Sequence, residues 1–148
     1  MPEPIVIKNP NDGSTFAILI KSDFKNDGGI SFFTPDDLSQ QLAYMNHPKG
    51  HKIVPHVHVL TERSIQITQE TLVIKSGSIR VDFYDNEQNY VFSTVLNKGD
   101  VILLVSGGHG FEVLEDLEMY EIKQGPYVGE NDKVRFTNEI ADVKYIGE

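Results

Sequence analysis

Short apolar stretches separated by turn-forming residues recur along most of this chain, and this alternation limits the possible folds more than any other feature. Residues 16–20 and 101–105 are continuous apolar runs, whereas residues 78–84 alternate between apolar and polar side chains. Segments rich in Asn, Asp, Gly and Pro separate the stretches, at 26–29, 47–50, 85–89 and 97–100. Many short strands with little helix are typical of a β-sandwich or β-barrel. We therefore expect an all-β fold.

Helix should be limited to short pieces such as residues 34–39, where Thr34 can cap a first turn that begins at Pro35. The chain has 148 residues and is 39% hydrophobic, which suits one domain with a single core. We expect that domain to span residues 1–148, with its core in roughly residues 40–126.

Charge and composition restrict the partners. The formal net charge of −9 disfavours binding to nucleic acid or to an anionic membrane surface. No apolar run is long enough for a membrane helix, and residues 1–13 lack the features of a secretory signal. Cysteine is absent, which excludes disulfides and thiolate chemistry. We expect a cytoplasmic protein that binds a small molecule and neither nucleic acid nor membrane.

Two histidines, His56 and His58, lie in a segment rich in β-branched residues at 53–59. Residues two apart share a face of a β-strand, so both imidazoles could reach one metal ion. A second strand is expected over residues 65–75, after a turn near 63–65. In an antiparallel pair of this register His58 would lie about opposite Glu70, whose carboxylate could then join the histidines.

The spacing of Gly50, His56, His58, Glu70 and Gly77 resembles the first sequence motif of the cupin superfamily. The segment between His58 and Glu70 is longer than is usual in that family, and Glu62, which follows His58 more closely, is the alternative carboxylate. A second resemblance lies in residues 99–109, where a glycine, an apolar strand and a small-residue turn precede His109. This stretch departs from the family pattern, because the usual proline before the turn is absent and the spacing is one residue short.

The cupin resemblance implies a jelly-roll β-barrel or sandwich and a metal site. Carried over residue by residue, the metal ligands would be His56, His58, Glu70 and His109. Three histidines and a carboxylate suit a divalent transition metal such as Zn, Fe, Mn, Ni or Co. A scaffold with an empty site is the alternative. Small cupins often pair through strands, so the resemblance also implies a homodimer.

The resemblance further implies a small metal-binding cupin, which could be an isomerase- or epimerase-like enzyme acting on a sugar derivative or keto acid. An Fe(II)-dependent dioxygenase and a non-catalytic module that binds a small ligand are the alternatives. Whether the protein is an enzyme stays open at this point.

Four further residues are candidates for chemistry. Lys123, Glu121 and Tyr84 are candidate acid–base groups, because burial near the metal would shift their proton affinities. The alternative for the strand that carries Glu121 and Lys123 is an edge protected by charges. Arg63, on the long predicted hairpin, could bind an anionic substrate.

His47 and His51 flank a Pro-Lys-Gly turn, and we expect both to be solvated loop residues.

Overall fold

The computed structural model describes residues 2–147 and is nearly all β. This confirms the all-β prediction. The strands are β1 (Ile5–Lys8), β2 (Thr15–Ile20), β3 (Gly29–Phe32), β4 (Ala43–Asn46), β5 (Glu70–Tyr84), β6 (Tyr90–Asn97), β7 (Val101–Leu104) and β8 (Gly108–Lys123). A 3-10 turn at Gly129–Asp132 is the helical element of the described chain. Within residues 2–147, no helix is both long and apolar enough to cross a membrane.

Six strands form one strongly curled sheet with the shape of a half-barrel. The strand order is β1-β2-β7-β5-β6, with β8 on the other side of β5, and every pairing in this sheet is antiparallel. Strands β3 and β4 form a separate two-stranded sheet. β5 is the central strand, because its first half pairs with β7, its second half pairs with β6, and β8 follows it along the whole of its other edge.

The long β5/β8 pair bends at Gly77, where the pairing register shifts repeatedly between Ile74 and Ile79. Such irregularities are β-bulges, which bend strands and increase their twist. Gly77 has a φ of +82°, and a Cβ atom at this position would lie 2.0 Å from the Asp116 carbonyl oxygen. Only glycine meets both requirements. The bend turns the two halves of this strand pair into two walls of the half-barrel.

The main core lies between these walls. Its large buried side chains alternate along β5 on one face, and Phe16 of β2 stacks on Phe83 with ring centroids 5.5 Å apart. A second cluster lies on the opposite face of β2 and β7, around Ile18 and Leu103, and is covered by apolar side chains from residues 24–42. β2 is therefore buried on both faces, which explains its continuous apolar sequence.

Several local expectations were wrong. Residues 34–39 form a turn rather than a helix, in which the Leu38 N–H donates to the Pro35 carbonyl at 3.3 Å. The strand expected over 65–75 begins only at Glu70 and continues through Gly77 to Tyr84.

The largest departure is the segment expected to pair as a hairpin over residues 53–75. Residues 48–67, called the arm below, are all exposed and contain no strand. The arm is anchored at both ends, by β4 before it and by β5 after it. In residues 52–66 the hydrogen bonds of the described structure are local, such as that between Thr61 Oγ1 and the Val59 carbonyl.

Candidate functional site

Glu70 and His109 meet on the inner face of the half-barrel. The Nε2 atom of His109 lies 3.6 Å from the Oε2 atom of Glu70, and their side chains are 30% and 13% exposed. This separation slightly exceeds an ordinary hydrogen bond, so a small side-chain movement would form one. The two residues are far apart in sequence. The fold thus brings two of the four expected metal ligands into contact.

The curl of the sheet explains why they meet. Glu70 shares a strand face with Leu72 and Ile74 of the main core, because strand side chains alternate with a period of two. His109 lies directly opposite the core residue Phe83 and so shares its face. Glu70 and His109 lie near opposite ends of the β5/β8 pairing. Their side chains therefore meet across the interior, one from each wall.

Two more titratable groups lie beside Glu70 on the same face. Lys123 is directly opposite Glu70 in the ladder, and Glu121 is opposite Leu72. The pKa of the Glu70 carboxyl lies below its ordinary value of 4.5, chiefly because the His109 imidazole can donate a hydrogen bond to it. Partial burial opposes this shift, while the charge of His109, hydrogen bonding to Glu121 and the charge of Lys123 reinforce it.

This cluster can hold and move protons. An imidazole within reach of a carboxylate is a common acid–base pair, in which the carboxylate orients the ring and stabilises its charged form. Lys123 adds a positive group on the same face, where it can attract an anionic part of a ligand. The arrangement therefore suits a small polar molecule, with Phe111 and Val113 of β8 supplying an apolar wall.

A cleft of about 230 Å³ adjoins the cluster at Lys123. Its other walls come from the end of the arm and from the segment after β8, including Tyr127, and Thr68 Oγ1 donates to Asp132 across it at 2.6 Å. The sequence patterns considered above did not predict this cleft. A Gly-Pro turn directly after a charged strand was the available signal.

His56 and His58 lie on the exposed arm, with ring centroids 5.3 Å apart. His56 Nδ1 is 2.9 Å from the Val54 carbonyl oxygen, a contact within the arm. Across residues 2–147, no three His, Cys, Asp or Glu side chains are grouped so that they could hold a metal ion. One chain therefore brings together Glu70 and His109 but does not add His56 and His58 to them.

The other candidates on the arm have only local contacts. Glu62, the alternative carboxylate, is exposed on the arm, whereas Glu70 is the one beside His109. Arg63 is also exposed, and its Nη1 donates to the Thr61 carbonyl at 3.5 Å.

Tyr84 lies on the other face of β5 from the cluster. It contacts Phe136 of the C-terminal segment with ring centroids 5.0 Å apart. The pKa of its hydroxyl is raised, chiefly by burial and then by the charge of Asp82. Neighbouring Phe83 is the residue that faces the interior, so Tyr84 is separated from Glu70 by the sheet.

His47 and His51 stack on each other, with ring centroids 4.1 Å apart and planes inclined by 3°. His51 is exposed, as expected for a loop residue, but His47 is partly buried. The Nε2 atom of His47 is buried without a hydrogen-bond partner in the described structure.

Comparison with known proteins adds no relative, since no family model, curated protein or solved structure matches this chain.

Proposed function

We propose that this protein is a small cupin that binds a divalent transition metal and a polar metabolite, with His56, His58, Glu70 and His109 as the metal ligands. The observation that carries the proposal is the contact between Glu70 and His109, since two expected ligands from distant parts of the sequence meet on one face. These donors suit Zn, Fe, Mn, Ni and Co. Which of these metals is bound therefore depends on metal availability as much as on the donors.

The ligand that fits the inner face is oxygen-rich and carries negative charge, such as a sugar acid derivative or a keto acid. The Lys123 ammonium group lies beside Glu70, and the adjoining cleft gives room for part of a small molecule. Polar groups that converge beside an apolar wall are typical of small-molecule sites.

An isomerase- or epimerase-like reaction would use the acid–base groups of this cluster. Glu121, on the inner face opposite Leu72, would take a proton from a carbon next to a carbonyl or return it, while His109 and Glu70 serve as metal ligands. Lys123 would hold a carboxylate or phosphate of the substrate. Because one chain does not assemble the four proposed ligands, we assign no catalytic step to the metal.

A non-catalytic binding module is the second candidate. The observation that favours it is the openness of the site, since Phe111 and Val113 are 39% and 56% exposed. Proton transfer from a carbon is aided by exclusion of water, and binding alone has no such requirement.

Metal content tests the proposal. Protein purified without added metal should contain a transition metal, and His58→Ala and Glu70→Gln should each lower the stoichiometry sharply, because each removes a ligand. Glu62→Gln and His51→Ala are matched controls that should keep full content. Full content in Glu70→Gln, or its loss in Glu62→Gln, would contradict the ligand assignment. A thermal-shift screen of sugar derivatives and keto acids, repeated with Lys123→Met, then tests the ligand class.

A further inference from the structure

The arm exposes more apolar surface than a solvated loop requires. Seven aliphatic side chains in it are 46–105% exposed: Ile53, Val54, Val57, Val59, Leu60, Ile65 and Ile67. Contiguous exposed apolar side chains mark a surface that binds a partner. Residues 56–60 are also rich in β-branched side chains that favour a strand, yet they pair with no strand of the described chain.

β8 offers the complementary surface. One edge of this strand pairs with β5 along its length, and within residues 2–147 its other edge pairs with no strand. Such an edge presents a row of free N–H and C=O groups. Apolar side chains are exposed on both of its faces: Phe111 and Val113 on the inner face, and Leu114, Tyr120 and Ile122 on the outer face.

The charge of β8 limits which strand can pair with its free edge. β8 carries five acidic residues against Lys123, and the five are Glu112, Glu115, Asp116, Glu118 and Glu121. Two β8 edges would therefore repel each other. The arm has the opposite balance, with Lys49, Lys52 and Arg63 against Glu62.

We propose that two copies of this chain exchange arms, so that the arm of each copy pairs as a strand along the free edge of β8 in the other. Each chain carries one unpaired segment and one unpaired edge. A single two-fold arrangement of two chains therefore forms two identical pairings of arm and β8. The arm has the necessary reach, because its residues would span about 65 Å if fully extended. Pro55 lacks an N–H group, so the paired arm donates no hydrogen bond to β8 at this position.

The exchange also completes the metal site, a consequence that rests on the proposed function. His56 and His58 alternate with Val57 and Val59, so in a strand the histidines share one face and the valines share the other. With the valines against the outer-face apolar residues of β8, the histidines face inward, towards His109 and Glu70 of the other copy. Each site would then contain ligands from two chains.

Sedimentation tests the exchange without any metal. The wild-type protein should be a dimer at micromolar concentration, and the double variant Val57→Asp/Val59→Asp should be a monomer that unfolds cooperatively and keeps a β-type far-UV spectrum, reduced only by the strand content of the arm. Both valines are exposed in the single chain, so folding should not suffer, while the new carboxylates would face acidic β8. Val134→Asp is the matched control, since Val134 and Val59 are both 78% exposed. A monomeric wild type, or a dimeric double variant, would overturn the exchange.

Mixing two inactive variants tests whether the site is shared. His58→Ala and His109→Ala should each lose metal alone. After subunit exchange, the mixed dimer joins an intact arm to an intact β8 once, so it should regain about one metal ion per heterodimer. No recovery, with normal loading of the wild type, would place the site within one chain and overturn its sharing. A wild type that is dimeric but binds no metal would contradict the proposed function and leave the exchange supported.

Discussion

Glu70 is held as a carboxylate by groups that all lie on β8. Because its folded-state pKa is lowered below 4.5, the carboxylate form adds stability above the ordinary pKa of Glu, and this stability is lost as the pH falls through the folded-state pKa. We expect Glu70→Gln to lower the free energy of unfolding by about 1–2 kcal/mol at pH 6. The difference from wild type should shrink as the pH falls below 4.5, as measured by urea unfolding.

The exposed residue Glu87 is the control, and Glu87→Gln should change the unfolding free energy little at either pH. An equal loss of stability in Glu70→Gln at low and neutral pH would show that Glu70 acts through packing rather than through its charge.

Asp100 supports the turn before β7. It is 1% exposed and accepts three bonds, from Lys21 Nζ at 2.7 Å, from the Ser22 N–H at 2.8 Å and from the Asn97 N–H at 2.7 Å. Asp100→Ala leaves these donors without their acceptor and should destabilise the protein by about 3 kcal/mol. Thermal unfolding beside the exposed control Asp37→Ala measures the effect, and equal melting temperatures would contradict it.

The bend in β5 is the element on which the site depends. Gly77→Ala would place a Cβ atom 2.0 Å from the Asp116 carbonyl oxygen, so β8 would have to shift. We expect a loss of about 3 kcal/mol or more in the free energy of unfolding. Gly13 has a φ of +77° with no atom within 4 Å of an added Cβ, so Gly13→Ala should cost only about 1–2 kcal/mol. Equal costs in the two variants would show that backbone strain alone, rather than the clash, makes Gly77 necessary.

Strand prediction succeeded where an apolar run is bounded by turns and failed where a strand bends. β2 and β7 lie within about a residue of their expected bounds, because each is short and buried. β5 was expected to end near Gly77, because a glycine in a bulge has the same local signature as a glycine in a turn. The alternation of valine and histidine at 56–59 predicts a strand but does not say which chain, if any, supplies its partner.

At the scale of the whole molecule, the contact between Glu70 and His109 was expected only from the cupin resemblance. Local spacing places neither residue relative to the other, because their meeting depends on the curl of the entire sheet. The cupin resemblance therefore contributed more to the site prediction than any local sequence pattern did. The same global dependence applies to the arm, because no local pattern identifies the surface against which it would pair.

The proposed arm exchange predicts that protease sensitivity depends on protein concentration. Trypsin can cleave after Lys52 and Arg63, which are exposed in the single chain, whereas a paired strand resists cleavage because it cannot enter the protease site. Cleavage at Lys52 should slow by about tenfold or more as the concentration rises through the dimer dissociation constant. Lys133 is the internal control, because it is exposed in the C-terminal segment and should be cleaved at the same rate throughout. Mass spectrometry of timed digests gives both rates, and the variant Val57→Asp/Val59→Asp should be cleaved rapidly at every concentration. A rate at Lys52 that tracks the rate at Lys133 would show that the arm stays free in any dimer that forms.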